Sequence, residues 1–329
     1  AGDIGGYIET EKNLSHNGFC WIYDEAKVFE NAEVYENAKV CGNAKVYDNA
    51  EVYGNAKVYD NAEVYGNAKV YDNAKVYEDA EVYEDAEVYD NAEVYEYAAV
   101  YENAKVYGNA EVYDNAKVYE DAEVYGNAKV YDNAEVYGNA KVYDNAKVYE
   151  DAEVYGNAEA YGNIKVFDNA KVYEDAKVYD NAKVYGNAEV YDNAKVYDNA
   201  EVYGNAKVYE NATIYGNSKV CGNAIVSGIA VINKGTIIGD VFIPFKYIFQ
   251  YQCENRILTA ILTEYNEILY TIGCQKNITK KEFIDRIYNT GGGLEKNPYR
   301  TEYLRLITLI ELHFNRELRK NSIQIMNLE

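Results

Sequence analysis

The sequence predicts a mainly β chain: a parallel β-solenoid followed by a small α+β module. An aliphatic residue returns at every sixth position, from Ile22, Val28 and Val34 through to Val226, Ile232 and Ile238, and only Ala160 breaks the series. No helix has that period. In almost every hexad an Ala lies two residues before the Val, so both point to one face of an extended strand, while the Lys or Glu between them and the Tyr after them point to the other. The remaining pair, such as Asp-Asn, Glu-Asp or Gly-Asn, is turn chemistry, and Asn tolerates a left-handed backbone. Three-residue strands joined by corners must stack to enclose so small an apolar face, which makes the repeat a coil.

The elements follow in order. Residues 1–21 lack the repeat and read as an N-terminal cap, residues 22–239 as the coiled repeat, and residues 240–329 as the α+β module. Caps are expected because a solenoid's open ends expose unpaired strand edges. In the module, Arg256 to Thr263 and Ile268 to Ile272 alternate around Glu264-Tyr265-Asn266-Glu267 and read as a hairpin. Thr279-Lys280-Lys281-Glu282 is a capping box that opens a short helix through Tyr288. Gly291 to Gly293 end that segment, and Asn297-Pro298 opens a longer helix with Tyr303, Leu306, Ile307, Ile310 and Phe314 at helical spacing.

The hexads, with pairs such as Val46 and Ala50 or Val52 and Ala56, resemble the hexapeptide-repeat family. The resemblance covers roughly two-thirds of the chain and implies a left-handed parallel β-helix of triangular section, with three hexads per turn. About 12 coils at ~4.8 Å each would follow, giving three outward Tyr ladders, three Lys/Glu ladders and acidic corners with a row of Asn beside each. Where the family carries a small residue after the aliphatic one, this chain carries Tyr. The opening Gly5-Gly6-Tyr7-Ile8, with Asn13-Leu14-Ser15 and Cys20-Trp21-Ile22, resembles a branch of the family found in bacteria and their phages and labelled as acyltransferases.

Charge narrows the function. Of 55 acidic and 32 basic residues, 44 and 20 fall in residues 1–239, a net of −24, whereas residues 240–329 are nearly balanced. Such a field repels nucleic acid and anionic membrane and favours basic partners. Cys20, Cys41, Cys221, Cys253 and Cys274 occur singly, with no CxxC pair, so neither a disulfide framework nor a zinc site is indicated and the cytoplasm is the expected compartment. No segment is long and apolar enough for a transmembrane helix. The start at Ala1, without Met, leaves room for an upstream segment and for export.

Chemistry is sparse. Acyltransferases of the resembling family use a catalytic His and loops that protrude from the coils; here the two histidines, His16 and His313, lie outside the repeat, and the hexads leave no room for inserted loops. Paired carboxylates such as Glu78-Asp79, Glu84-Asp85 and Glu120-Asp121 repeat in near-identical surroundings, which does not separate two pKa values as acid–base catalysis requires. No catalytic residue, metal site or cofactor is therefore assigned. The expected function is that of a non-enzymatic, rigid, acidic, Tyr-faced rod that binds a basic protein or itself, with a glycan as a further ligand class for the tyrosines. An acyltransferase-like enzyme and an acidic DNA mimic, the latter suggested by the phage link, are the alternatives. The residues that represent the expected binding surface are Tyr113, Tyr119, Tyr125 and Tyr131 with Asp114, Glu120, Asp132 and Asp144. Among the irregular hexads, Ala160 and Ile164 read as a compensating core exchange, while Tyr97, Ala99, Cys41 and Cys221 interrupt the outer surface.

Overall fold

The structure of the chain, a computed structural model, describes residues 5–228, 230–238, 242–243, 248–253, 256–262, 268–272, 275–289 and 299–326. It divides into two compact units, Ala1–Asn187 and Ala188–Glu329. The chain is mainly a parallel β-solenoid of about 13 turns, with two α-helices and a small antiparallel sheet near the C-terminus among the described residues.

In the first unit each hexad contributes a two-residue strand, and strands 18 residues apart pair in parallel. Three stacks arise: Lys45–Val46 on Glu63–Val64 on Glu81–Val82, Glu51–Val52 on Lys69–Val70 on Glu87–Val88, and Lys57–Val58 on Lys75–Val76 on Glu93–Val94. One turn is thus three hexads. The inward Val and Ala have no exposed surface, as at Val58, Ala62, Val124 and Ala128. Ala160 and Ile164 are equally buried. Valine suits the position because a β-branched side chain is already ordered in a strand, and alanine leaves the corner room to turn.

Each corner turns on a left-handed residue, but it is the Asp, Glu or Gly before the Asn, and not the Asn: φ is 57° at Asp114, 59° at Glu120, 57° at Asp132 and 61° at Asp144. The left-handed residue turns its N–H along the stack, where the carboxylate one turn earlier accepts it. Asp114 N donates to Glu96 Oε2 at 3.0 Å, Asp168 N to Glu150 Oε2 at 2.9 Å, and Gly186 N to Asp168 Oδ2 at 2.9 Å. Asn takes the next position, where its N–H meets a corner carbonyl of the following turn, as from Asn115 to Asp132 at 2.8 Å. An L-residue in this conformation costs roughly 1–2 kcal/mol, and a β-branched one more. Glu120→Gly should therefore raise the thermal midpoint slightly and Glu120→Val should lower it, and calorimetry giving the reverse order would contradict the corner geometry.

The N-terminal residues continue the stacks. Tyr7–Ile8 pairs with Lys27–Val28, Leu14–Gly18 with Glu33–Glu36, and Trp21–Ile22 with Lys39–Val40. Asn13 ties these residues to the following turn. Its side chain is fully buried, its Nδ2 donates to the carbonyls of Glu30 at 3.0 Å and Ala32 at 2.9 Å, and its Oδ1 accepts from Thr10 N at 2.7 Å.

In the second unit the hexads pair with the same 18-residue offset, as in Glu189↔Lys207 and Lys207↔Ile225. Its last turn departs from the sequence reading. Thr213↔Val231 and Ile214↔Ile232 keep the 18-residue offset, but Val220 faces Ile237 and Cys221 faces Ile238, an offset of 17. One residue has been lost from the corner, and a one-residue slip exchanges the two faces of a strand. Ile237, 1% exposed, fills the core place that the period assigned to Ile238.

The antiparallel sheet of this unit comprises Ile248–Cys253, Arg256–Leu262, Ile268–Ile272 and Gln275–Thr279. The hairpin strands pair as the alternation implies; the turn at 264–267, the glycines at 291–293 and Asn297-Pro298 lie outside the described residues. The capping box forms at the helix Lys280–Asn289: Thr279 N donates to Glu282 Oε2 at 2.8 Å, and Glu282 N to Thr279 Oγ1 at 3.3 Å. The helix Tyr299–Met326 buries Leu306, Ile307, Ile310 and Phe314 against Leu258, Tyr270 and Phe283.

Candidate functional site

The outer surface of the first unit is a lattice of stacked side chains with an 18-residue repeat. Asn amides bond from turn to turn without interruption from Asn37 through Asn55, Asn73, Asn91, Asn109 and Asn127 to Asn145, each at 3.1–3.3 Å. In the other rows Asp79 and Asp85 accept from Asn61 and Asn67. An ionised carboxylate has no proton to pass on.

Tyrosines stack in parallel with ring centroids at strand spacing, for example 4.9 Å between Tyr113 and Tyr131 and 4.8 Å between Tyr107 and Tyr125. Their hydroxyls follow a rule that the hexad alone does not reveal. From Tyr35 to Tyr143, a stacked Tyr donates to the residue 16 positions later whenever that residue is Glu. Thus Tyr35 reaches Glu51 at 2.7 Å, Tyr107 reaches Glu123 at 2.8 Å and Tyr119 reaches Glu135 at 2.9 Å. Sixteen residues is one turn less two, which sets a Tyr hydroxyl beside the outward Lys or Glu of the next turn. Lysines join the same network, as at Lys75–Glu93 and Lys129–Glu111, both 2.7 Å. These pairs are too exposed to add more than ~0–1 kcal/mol each. Burial disfavours the charge on Glu93, but bonds from Lys75 and Tyr77 outweigh it and hold the carboxyl below its usual range.

The residues expected to form a binding surface are distributed over all three faces. Tyr113 and Tyr131 are adjacent in one ladder, and Asp114 and Asp132 sit beside them on neighbouring turns of one edge. Tyr119, which stacks on Tyr101 and Tyr137, belongs to a second ladder, and Tyr125, between Tyr107 and Tyr143, to the third. Glu120 and Asp144 stand on the two remaining edges, exposed, whereas Asp114, Asp132 and the four tyrosines are half-buried. The structure therefore brings together Tyr113, Tyr131, Asp114 and Asp132 and separates the others.

A denser place lies two turns away. Between Lys75 and Lys105 the sequence holds ten carboxylates and no lysine or arginine. Coiling wraps them around all three faces within about two turns. The irregular residues Tyr97 and Ala99 fall in this belt. Tyr97 is 66% exposed at a corner that from Asn43 to Asn223 is otherwise filled by Asn or Asp, and Ala99 follows Glu81 in its stack where a charge would recur. At the edge of the belt the Glu96 carboxyl is pushed up, first by its bond to the Asp114 carboxyl of the next turn and then by burial. Two like charges one turn apart leave the site with unneutralised potential. On another face a groove of about 880 Å³ runs over five turns, between the row Asn67, Asp85, Asn103, Asp121, Asn139 and the row Lys69, Glu87, Lys105, Glu123, Lys141. Both rows alternate turn by turn, so acids pair with acids across it at every second turn.

His16 is exposed and bonds only to Glu11, at 2.8 Å, while the His313 side chain lies outside the described residues. Cys20, Cys41 and Cys221 are free thiols. Among the described residues no three His, Cys, Asp or Glu side chains are placed to hold a metal ion, and no helix is long and apolar enough to cross a membrane. Neither any protein-family model nor any curated protein matches the chain.

Proposed function

We propose that this chain is a non-enzymatic structural repeat protein, a hexapeptide-type left-handed β-helix whose acidic, Tyr-studded surface holds a basic protein. The observation that carries the reading is the belt between Lys75 and Lys105, ten carboxylates with no lysine or arginine among them and Glu93 paired with Lys75 at its border, with Tyr97 standing out of it. An exposed aromatic ring beside carboxylates suits an Arg or Lys side chain, through cation–π attraction and charge-assisted hydrogen bonds. Rigidity supports the reading further, since stacked side chains lose little entropy when a partner orders them.

One magnitude favours the DNA mimic as a second reading. Residues 60–185 carry 29 carboxylates and 11 lysines, a net of −18 over seven 18-residue turns. At ~4.8 Å per turn that is roughly one net negative charge per 1.9 Å of axis, close to the ~1.7 Å of duplex DNA.

The test uses the full chain immobilised against a protamine-class basic protein and, separately, a non-specific DNA-binding protein, across a salt series. Binding should weaken steeply as salt shortens the screening length below ~8 Å. Replacing Glu78, Asp79 and Glu96 with Gln or Asn should weaken it more than replacing Asp114, Glu120, Asp132 and Asp144, because the second set is spread over three edges. Amides keep the acceptors that the corner N–H groups need, so the circular dichroism should not change in either variant. A hold on the DNA-binding protein that outlasts the hold on the basic protein as salt rises would favour the mimic, and affinity that survives high salt and both sets of replacements would sink the charge-based reading.

A further inference from the structure

The tyrosine ladder that begins at Tyr35 passes through Tyr53, Tyr71, Tyr89, Tyr107, Tyr125, Tyr143 and Tyr161 to Tyr179 with no other residue in it. Successive centroids are 4.7–5.1 Å apart and successive planes lie within 6° of parallel. Nine oxidisable rings are thus held in van der Waals contact over roughly 38 Å at strand spacing. We propose that this ladder is a relay for oxidising equivalents, passing a one-electron hole from ring to ring along the solenoid.

Two features distinguish it from an ordinary aromatic cluster. A phenol that loses an electron becomes a strong acid, so oxidation near neutral pH needs a base already in contact with the hydroxyl. From Tyr35 to Tyr143 every second ring has one: Tyr35, Tyr71, Tyr107 and Tyr143 donate to Glu51, Glu87, Glu123 and Glu159 at 2.7, 3.0, 2.8 and 3.4 Å. The first three distances fall within the range for direct proton transfer. For the rings between them, Tyr53, Tyr89 and Tyr125, the residue 16 positions later is Lys69, Lys105 and Lys141, and Lys69 and Lys141 lie within 3.5 and 3.1 Å of Glu51 and Glu123. A cation there disfavours a positive hole, so the alternating Glu and Lys define resting places two turns apart, with a bridging ring between each pair.

The step balances within the chain. An outer-sphere one-electron oxidant, supplied from outside, takes an electron from Tyr107 and is itself reduced by one electron. The phenolic proton crosses to the Glu123 carboxylate, leaving a neutral tyrosyl radical and a carboxylic acid. The hole moves when an electron arrives from Tyr143 by way of Tyr125. Glu123 then returns its proton to Tyr107, and the proton of Tyr143 passes to Glu159. Each proton travels only across its own hydrogen bond, and no atom leaves the ladder. The other ladders contain phenylalanine, at Phe29 and Phe167, which stacks equally well but is much harder to oxidise.

The test places 3-aminotyrosine, a hole trap, at position 161 of the full chain and generates tris(bipyridine)ruthenium(III) by flash photolysis at a concentration below that of the protein. The aminotyrosyl radical is followed by absorption and electron paramagnetic resonance. Holes landing anywhere on the ladder should reach the trap in a phase whose rate does not depend on protein concentration. In Tyr107→Phe/Tyr125→Phe, holes from Tyr35 to Tyr89 are cut off, and the trapped yield should fall several-fold. Phe167 shows that the stack accepts this ring, and an unchanged melting curve checks that it does. Glu123→Gln retains an acceptor but cannot take the proton, so the trap should fill more slowly. An undiminished yield in the double Phe variant would overturn the relay, and an unchanged rate in Glu123→Gln would overturn the assigned proton acceptor.

Discussion

Val124→Asp should unfold the coil around it, whereas Tyr125→Ser should only loosen the surface, although the two residues are neighbours in the chain. Val124 has no exposed surface and pairs in register with Val106 below and Val142 above. Its surroundings are valine and alanine, and the backbone groups nearby already bond from turn to turn, as Tyr125 N does to the Val142 carbonyl at 3.0 Å. A carboxylate there finds no donor. Burying it, or protonating it to avoid the charge, costs several kcal/mol, a large part of the ~5–15 kcal/mol that holds a domain together. Tyr125, by contrast, is half-buried and stacks on Tyr107 and Tyr143 at 4.8 Å. Losing both contacts removes about 1–3 kcal/mol if each aromatic pair contributes ~0.5–1.5. Because each turn of a solenoid touches only its neighbours, the Asp variant should melt in two steps, with the turns around residue 124 first. Denaturant titrations that give both variants the same midpoint would contradict the facing of the strand.

That facing is legible in the hexad itself, because the choice between Val inside and Tyr inside is settled by size and by a period of two within the strand. The helix at Lys280 is legible for the same local reason: a capping box needs only residues three apart. What the hexad hides depends on the turn as a whole. Which corner residue adopts the left-handed conformation follows from where its N–H points in the stack, and by residue type alone Asn is the better candidate. The lost residue before Ile237 is hidden because Ile237 and Ile238 are both isoleucine, and either could fill the core. The Tyr–Glu bonds depend on an offset of 16, which has meaning only once three hexads close a turn of 18. The surface residues Tyr119, Tyr125, Glu120 and Asp144 belong to one contiguous stretch, but hexads adjacent in sequence lie on different faces. Residues that meet on one edge are 18 apart, which is why Asp114 and Asp132 form a pair and Glu120 does not.

Raising the pH should not titrate the stacked tyrosines from Tyr35 to Tyr161 one by one near the ordinary value of 10; they should remain protonated and then ionise together as the solenoid unfolds. Burial of the ring is the first cause, and neighbouring carboxylates add to it: Tyr59, Tyr89, Tyr101 and Tyr149 are each pushed up to about 12, and Tyr35, Tyr71 and Tyr119, which donate to glutamates, are pushed higher still. For a phenol whose folded pKa is raised, the stabilisation is fully present below pH 10, where both states hold the proton. It is lost as pH rises from 10 through the folded value, because only the unfolded chain can ionise there. Each tenfold change in proton affinity corresponds to ~1.4 kcal/mol; halved for the screening of partly exposed groups, the four tyrosines at about 12 alone would cost the fold about 5 kcal/mol by pH 12. The Glu-bonded tyrosines increase that cost, so the fold should fail before most of them ionise. Phenolate absorbance at 295 nm should therefore stay low past pH 10 and then rise steeply, in step with the loss of far-ultraviolet dichroism. Ionisation of most of the tyrosines at pH 10 while the dichroism holds would mean that the ladders neither bury their hydroxyls nor bind them to the glutamates.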